Sequence, residues 1–272
     1  MYQIKNFLEN DDIRVSNQKS NIRIVEYMTD LSVNPYTCIT QYYAARMNVR
    51  KKQALIELND DSFITSAGAM QWTLGNVQAV TDVKGVGDFL GKALKGSVTK
   101  ESTVKPKYTG TGLLMLEPTY KHLLIEDVSE WGSGIVLDDG MFLGCDSNIK
   151  YDVVMRSNLS SAVLGNQGLF SLKLSGNGLA VLESPVPREE LIEIELQNDV
   201  IKIDGNFAVA WSDTLEFTVE KSGKSLLGSA VSAEGFVNVY KGTGKILIAP
   251  VLSSSSYTSG TLGSISSATS GR

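Results

Sequence analysis

Histidine, cysteine and proline are scarce in this chain: of 272 residues one is His, two are Cys and six are Pro. A Ser-His-Asp or Cys-His arrangement would have to use His122, in "TYKHLLIE", and no GxSxG elbow accompanies it. His122 is therefore read as a strand-start histidine near a surface turn. Cys38 and Cys145 are too few for a disulfide framework, and without a CxxC pair they make no zinc ribbon. Reduced thiols in a cytoplasm are the expectation. The opening "MYQIKNFLENDDIRV" lacks a basic segment followed by an apolar run, which argues against a secretory signal. No apolar stretch approaches the ~20 residues that span a bilayer. Positive charge is not in excess either. A net charge of −5 gives no general attraction for nucleic acid.

What the chain has instead is glycine, 25 residues of it, and a 42% hydrophobic composition. That balance suits a turn-rich globular β protein. Three stretches look alike: "YTGTGLLMLEP", "LSGNGLAVLES" and "YKGTGKILIAP". Their first glycines, Gly110, Gly176 and Gly242, are spaced by 66 residues in both intervals. The tripeptide "LIE" recurs at Leu55–Glu57, Leu124–Glu126 and Leu191–Glu193 with nearly the same period. Each is followed by a strand-like run, a glycine (Gly68, Gly140, Gly205) and a second apolar run ending at Trp72, Cys145 or Trp211. Repeats at a fixed period must be read before single residues.

The expectation is an all-β fold of three tandem sandwich- or barrel-like repeats, about 50–118, 119–184 and 185–250, packed with pseudo-threefold symmetry. Together with an N-terminal extension, 1–49, they form a single domain over 1–252. Each Gly-x-Gly is read as a tight hairpin turn needing positive φ. Phe170, Leu172 and Leu174 alternate with polar residues, as half-buried strands do. "GLLMLE", "GLAVLE" and "KILIA" are apolar on both faces and read as interior strands. Trp72 and Trp211 are expected in the core. The Ser/Gly/Thr-rich tail, 253–272, lacks apolar periodicity and reads as disordered.

The segments "LFSLKLSGNGLAVLES", "DGNFAVAWSDTLEFTVE", "KGTGKILIAP", "LDDGMFLGCDSNIKYDV" and "SAGAMQW" resemble the altered-inheritance-of-mitochondria protein twenty-four family over roughly residues 40–250. The resemblance implies β-rich units similar to those of the tryptophan RNA-binding attenuation protein. It implies soluble bacterial members and a mitochondrial branch concerned with inner-membrane organisation. It implies no enzyme activity, and a likeness of fold licenses neither tryptophan nor RNA binding. This sequence departs from the mitochondrial branch in having no Arg-rich presequence.

The glutamates of the three "LIE" motifs, Glu57, Glu126 and Glu193, would form a carboxylate ring under threefold symmetry, suited to a cation or a shared proton. The solvated face of a strand is the plainer reading. "KGVGDFLGKALKG" reads GxGxxxG and so is neither a phosphate loop nor a dinucleotide fingerprint. Its apolar residues share one helical face, ringed by Lys84, Lys92 and Lys95. It reads as an internal plug or as a segment, 84–95, that touches a membrane surface. The "LG" loops "FLGKAL", "VLGNQG" and "SLLGSA" supply a candidate interface: Phe89, Leu90, Leu164, Leu226 and Leu227.

These residues point to a non-enzymatic, self-assembling β-scaffold or binding protein, expected to be a homo-oligomer with a cyclic trimer favoured. No cofactor is expected. One alternative is a small-molecule or metal-binding protein with its site between repeats. Another is a peripheral membrane-organising protein using 84–95.

Overall fold

The structure is a computed structural model that describes residues 2–30, 32–80, 105–155, 170–221 and 236–251. Five segments with the β pattern open the chain: β1 (Ile13–Lys19), β2 (Ile22–Tyr27), β3 (Lys52–Thr65), β4 (Met70–Val80) and β5 (Lys107–Leu116). One helix, α1 (Cys38–Arg46), lies between β2 and β3. The middle of the chain forms β6 (His122–Asp127), a 3-10 turn at Val128–Trp131, β7 (Ile135–Leu137), β8 (Phe142–Asp146), β9 (Lys150–Met155), β10 (Phe170–Ser175) and β11 (Leu179–Ser184). The last part gives β12 (Ile192–Asp204), β13 (Ala208–Ser212), β14 (Glu216–Lys221) and β15 (Phe236–Ile248).

These strands make two curled sheets. The first runs β1-β2-β3-β8-β11-β6, with β5 on β3 and β4 on β5. The second runs β12-β15-β13-β7-β10-β9, with β14 on β15. Curling brings the end strands of the first sheet together: Lys19 Nζ on β1 lies 3.6 Å from Asp127 and 3.7 Å from Glu130. The all-β expectation holds. The sheets do not follow the expected unit boundaries, however. Residues 119–184 send β6, β8 and β11 to the first sheet and β7, β9 and β10 to the second.

The uninterrupted apolar runs are buried on both faces. Ala180 and Leu182 enter one core with Ile135, Leu137, Leu174 and Leu247, while Val181 between them faces another with Ile22, Ile56 and Phe63. Val136 likewise turns away from Ile135 and Leu137 to pack with Trp211, Tyr240 and Ile246. Each sheet thus has its own core, and a larger one joins them. Trp211 is core, as expected. Trp72 is only half-buried, edge-on to Phe7, and Trp131 is more enclosed than either.

The Gly-x-Gly pairs are not hairpin turns as a set. Gly110 and Gly112 lie inside β5, Gly242 and Gly244 lie inside β15, and only Gly176 and Gly178 link two strands, β10 and β11. Positive φ is nonetheless common to them, at 132°, 112° and 131° for the first glycines. Crowding supplies the second reason for glycine. A Cβ at Gly110 would stand 1.9 Å from the Asn76 carbonyl oxygen, and one at Gly112 2.0 Å from that of Leu74.

Candidate functional site

The expected interface residues Phe89, Leu90, Leu164, Leu226 and Leu227, the segment 84–95 and the tail 253–272 all lie outside the described residues. The other expected residues can be placed. His122 begins β6 opposite Ser184 and is half-buried. Burial, and next the nearby Lys52 charge, hold its pKa below the ordinary imidazole value.

The three "LIE" glutamates do not form a ring, because their registers differ. Glu57 lies opposite Leu113, Glu126 opposite Ala180 and Glu193 opposite Leu247, which are one, two and three residues past the second glycine of their pairs. A one-residue slip turns a strand side chain to the other face. Glu57 pairs with Arg23 at 3.3 Å. Glu126 is buried, accepts from Arg188 Nε at 2.9 Å and from Trp131 Nε1 at 3.3 Å, and shares Arg188 with Glu193. Lys245 completes this group, 4.4 Å above the Trp131 ring. Among the described residues no three His, Cys, Asp or Glu side chains are grouped to hold a metal.

Two features were not read from the sequence. The first surrounds α1. This helix buries none of its residues. Tyr36 before it is 95% exposed and Met47 after it 77%, with Ile39, Tyr42 and Tyr43 exposed between them. An open cavity of about 370 Å³ lies beside the helix, lined by Met28, Asp30, Val33, Tyr42, Arg46 and Arg50 among others. Arg46 donates to the Tyr42 hydroxyl at 3.0 Å. Arg50 reaches Glu26 at 3.4 Å and Asn48 at 2.8 Å, yet its Nε is buried without a hydrogen-bond partner. Asp30 is held down to about 2 by the Ser32 hydroxyl and by Lys51, whose ammonium is 2.9 Å away. Below the cavity, Glu26 is 2% exposed and meets Arg14 at 2.5 Å and Lys52 at 3.8 Å. Burial raises the Glu26 pKa, but Arg14, Lys52 and Arg50 together outweigh it and hold it low. The signal that could have revealed this place is "RMNVRKK", a basic run directly after an aromatic one.

The second feature is a pair of open strand edges. Two junctions in the molecule share one register. At the first, Cys145 of β8 lies opposite Ile64 of β3, with Asp146 on Phe63 and Gly144 on Thr65. At the second, Trp211 of β13 lies opposite Val136 of β7, with Ser212 on Ile135 and Ala210 on Leu137. Ile64 and Val136 face Lys107 and Lys173, three residues before Gly110 and Gly176. Lys202 of β12 has that same position, facing Val239 three residues before Gly242. Cys145 and Trp211 face Ala180 and Ile246, two residues after Gly178 and Gly244. Thr73 of β4 has that same position, facing Leu114 two residues after Gly112. Yet β4 pairs only with β5, and β12 only with β15, among the described residues. The outer edge of β4, "MQWTLGNVQAV", carries no charge over eleven residues and buries none of them.

No helix among the described residues is long and apolar enough to cross a membrane. No curated protein matches the chain. A crystal structure of a protein from Streptococcus pyogenes, solved in a structural-genomics programme, is similar in fold. Its TM-score is 0.57 at 24% identity, covering 80% of this chain and 94% of that one. The family model described as mitochondrial biogenesis AIM24 matches residues 45–251, which take in the three Gly-x-Gly pairs and both junctions. On that match the chain belongs to the mitochondrial biogenesis AIM24 family.

Proposed function

We propose that this protein is a non-catalytic β-scaffold that assembles with copies of itself, a cyclic trimer being the first choice. It is built from three related units of about 66 residues with pseudo-threefold symmetry. The units are supported by the recurring φ values of the Gly-x-Gly pairs and by the shared register of β8 and β13. A bulge also recurs between Met70 and Trp72, between Phe142 and Gly144, and between Ala208 and Ala210. The observation that carries assembly is the uncharged edge of β4. Long edges with free N–H and C=O groups are templates for another chain, and proteins that stay monomeric blunt them with charge, proline or a cover. Light scattering across the micromolar range tests the reading. A mass of several chains is expected, and a single-chain mass throughout overturns it. A cytoplasmic location belongs to the same reading, supported by the free thiols of Cys38 and Cys145.

The cavity beside α1 favours a second reading, binding of a small anion with an apolar body. Its volume suits a small ligand, its walls are largely apolar, and two guanidinium groups line it. It lies against the N-terminal extension rather than between repeats. Titration with phenyl phosphate, followed by tyrosine fluorescence, tests this. Saturable binding abolished by Arg46→Met supports it, and no saturation refutes it.

A further inference from the structure

We infer that β4 of one molecule pairs antiparallel with β12 of a second copy, Thr73 opposite Lys202, as a third junction of the kind seen twice within the chain. The inference rests on the assembly reading above and names its interface. At both internal junctions the first half of one unit's second strand lies against the second half of the preceding unit's first strand. The same rule leaves two halves over. Among the described residues no first strand lies against the outer edge of β4, and no second strand against that of β12. Applied to them, the register sets Leu74 opposite Ile201, Thr73 opposite Lys202 and Trp72 opposite Ile203.

The side chains suit that pairing. Leu74, Trp72, Ile201 and Ile203 fall on one face, so two apolar pairs flank a polar one. Cross-strand apolar pairs of this kind stabilise a sheet. The central pair differs from its internal counterparts in a telling way. Cys145–Ile64 and Trp211–Val136 are buried, whereas Thr73 and Lys202 are exposed, as befits a seam that lies on the surface of the free molecule. Charge also distinguishes the two edges. β12 carries Glu193, Glu195, Asp199, Lys202 and Asp204, which resist pairing of β12 with itself, while the uncharged β4 repels none of them. The junction register selects a second copy's β12 as the occupant of β4, since both internal junctions pair a second strand with a first strand and neither pairs two second strands. Each molecule offers one edge of each kind, so the contact is head-to-tail and generates rings or open chains.

Two proteins with one accessible cysteine each test this, Thr73→Cys and Lys202→Cys, both with the exposed Cys38 replaced by Ser and the buried Cys145 kept. Mixed under mild oxidation, they should form a disulfide-linked heterodimer. Thr73→Cys mixed with Asp199→Cys, three residues out of register, should not, since Cα atoms more than about 7 Å apart are not bridged. The chain carrying both Thr73→Cys and Lys202→Cys should give a ladder of multiples. An internal disulfide in a single chain would overturn the inference, because the seam would then close within the molecule. So would no cross-link at all. As a check independent of oxidation, Thr73→Lys sets like charges opposite each other and should lower the scattering mass to one chain, while Thr73→Glu should not. A wild-type oligomer whose junction cysteines fail to link leaves the assembly reading standing and sinks this one. A wild-type monomer sinks both.

Discussion

Gly110→Ala should be among the most damaging one-methyl changes in this protein, and the structure sets its size. Two costs add. The first is conformational: φ is +132°, where an L side chain is strained by about 1–3 kcal/mol. The second is steric. The new Cβ would stand 1.9 Å from the Asn76 carbonyl oxygen and 3.1 Å from its carbon. That neighbour is the backbone of β4, so β4 must shift away from β5, at the overpacking cost of about 1–3 kcal/mol. The expected loss is therefore about 2–6 kcal/mol. With a urea m-value near about 3 kcal/mol per M, the midpoint falls by roughly 0.7–2 M. Gly68 provides the control. Its φ is +78°, but a Cβ there meets nothing within 4 Å, so Gly68→Ala should cost only the conformational term. Gly176 and Gly242 fall between, with carbonyl oxygens at 3.1 and 3.2 Å. Urea titration by circular dichroism should rank Gly110 first, then Gly176 and Gly242, then Gly68. A Gly110→Ala midpoint no lower than that of Gly68→Ala would refute the crowding argument.

Glu26→Gln should cost about 3 kcal/mol in the same titration, because Lys52, 6% exposed, loses its counter-charge. Adding Lys52→Met should restore most of it, and no restoration would count against a buried pair. In thiol labelling at pH 8 one cysteine per folded chain should react. Cys38 is exposed, while burial, with Asp146 adding to it, pushes the Cys145 thiol up to about 12. Fast labelling of both would contradict that. Glu26 and Asp30 both have folded pKa values below their unfolded ones, so their stabilisation is present above pH about 4.5 and is lost as pH falls through the folded values. Stability should decline from about pH 4.5 toward pH 2, and a flat profile there would show that neither carboxylate matters.

The sequence was most legible where a property is periodic and local. The apolar runs around Leu114, Val181 and Ile246 announce buried strands because burial on both faces leaves no polar alternation. The glycine pairs were legible as positive-φ positions, but only Gly176 and Gly178 make the expected turn, while the other two pairs lie inside strands. A string of residues cannot tell a reversal of the chain from a close approach by a neighbouring strand, and at Gly110 that neighbour is Asn76, 34 residues away. The "LIE" motifs failed for a related reason. Matching letters suggested matching places, yet register against β5, β11 and β15 puts the three glutamates in three different positions. The site beside α1 was missed because Arg46 and Arg50 gain meaning only when the loop after β2 closes the cavity around them. The junction register was invisible too, since it pairs residues 73 to 83 positions apart.

The division of residues 119–184 between the two sheets dictates an order of events during synthesis. Once Ser184 has emerged from the ribosome, every strand of the first sheet is present and it can close. β7, β9 and β10, already made, then wait for β13 and β15, which come only with residues 208–248. Ile135, Leu137, Leu172 and Leu174 spend that interval without their full cover, and transiently exposed apolar strands are where chains stick to one another. The nascent protein is thus at its most vulnerable between the emergence of Ser184 and that of Ile248, with one sheet finished and the first strands of the other already out.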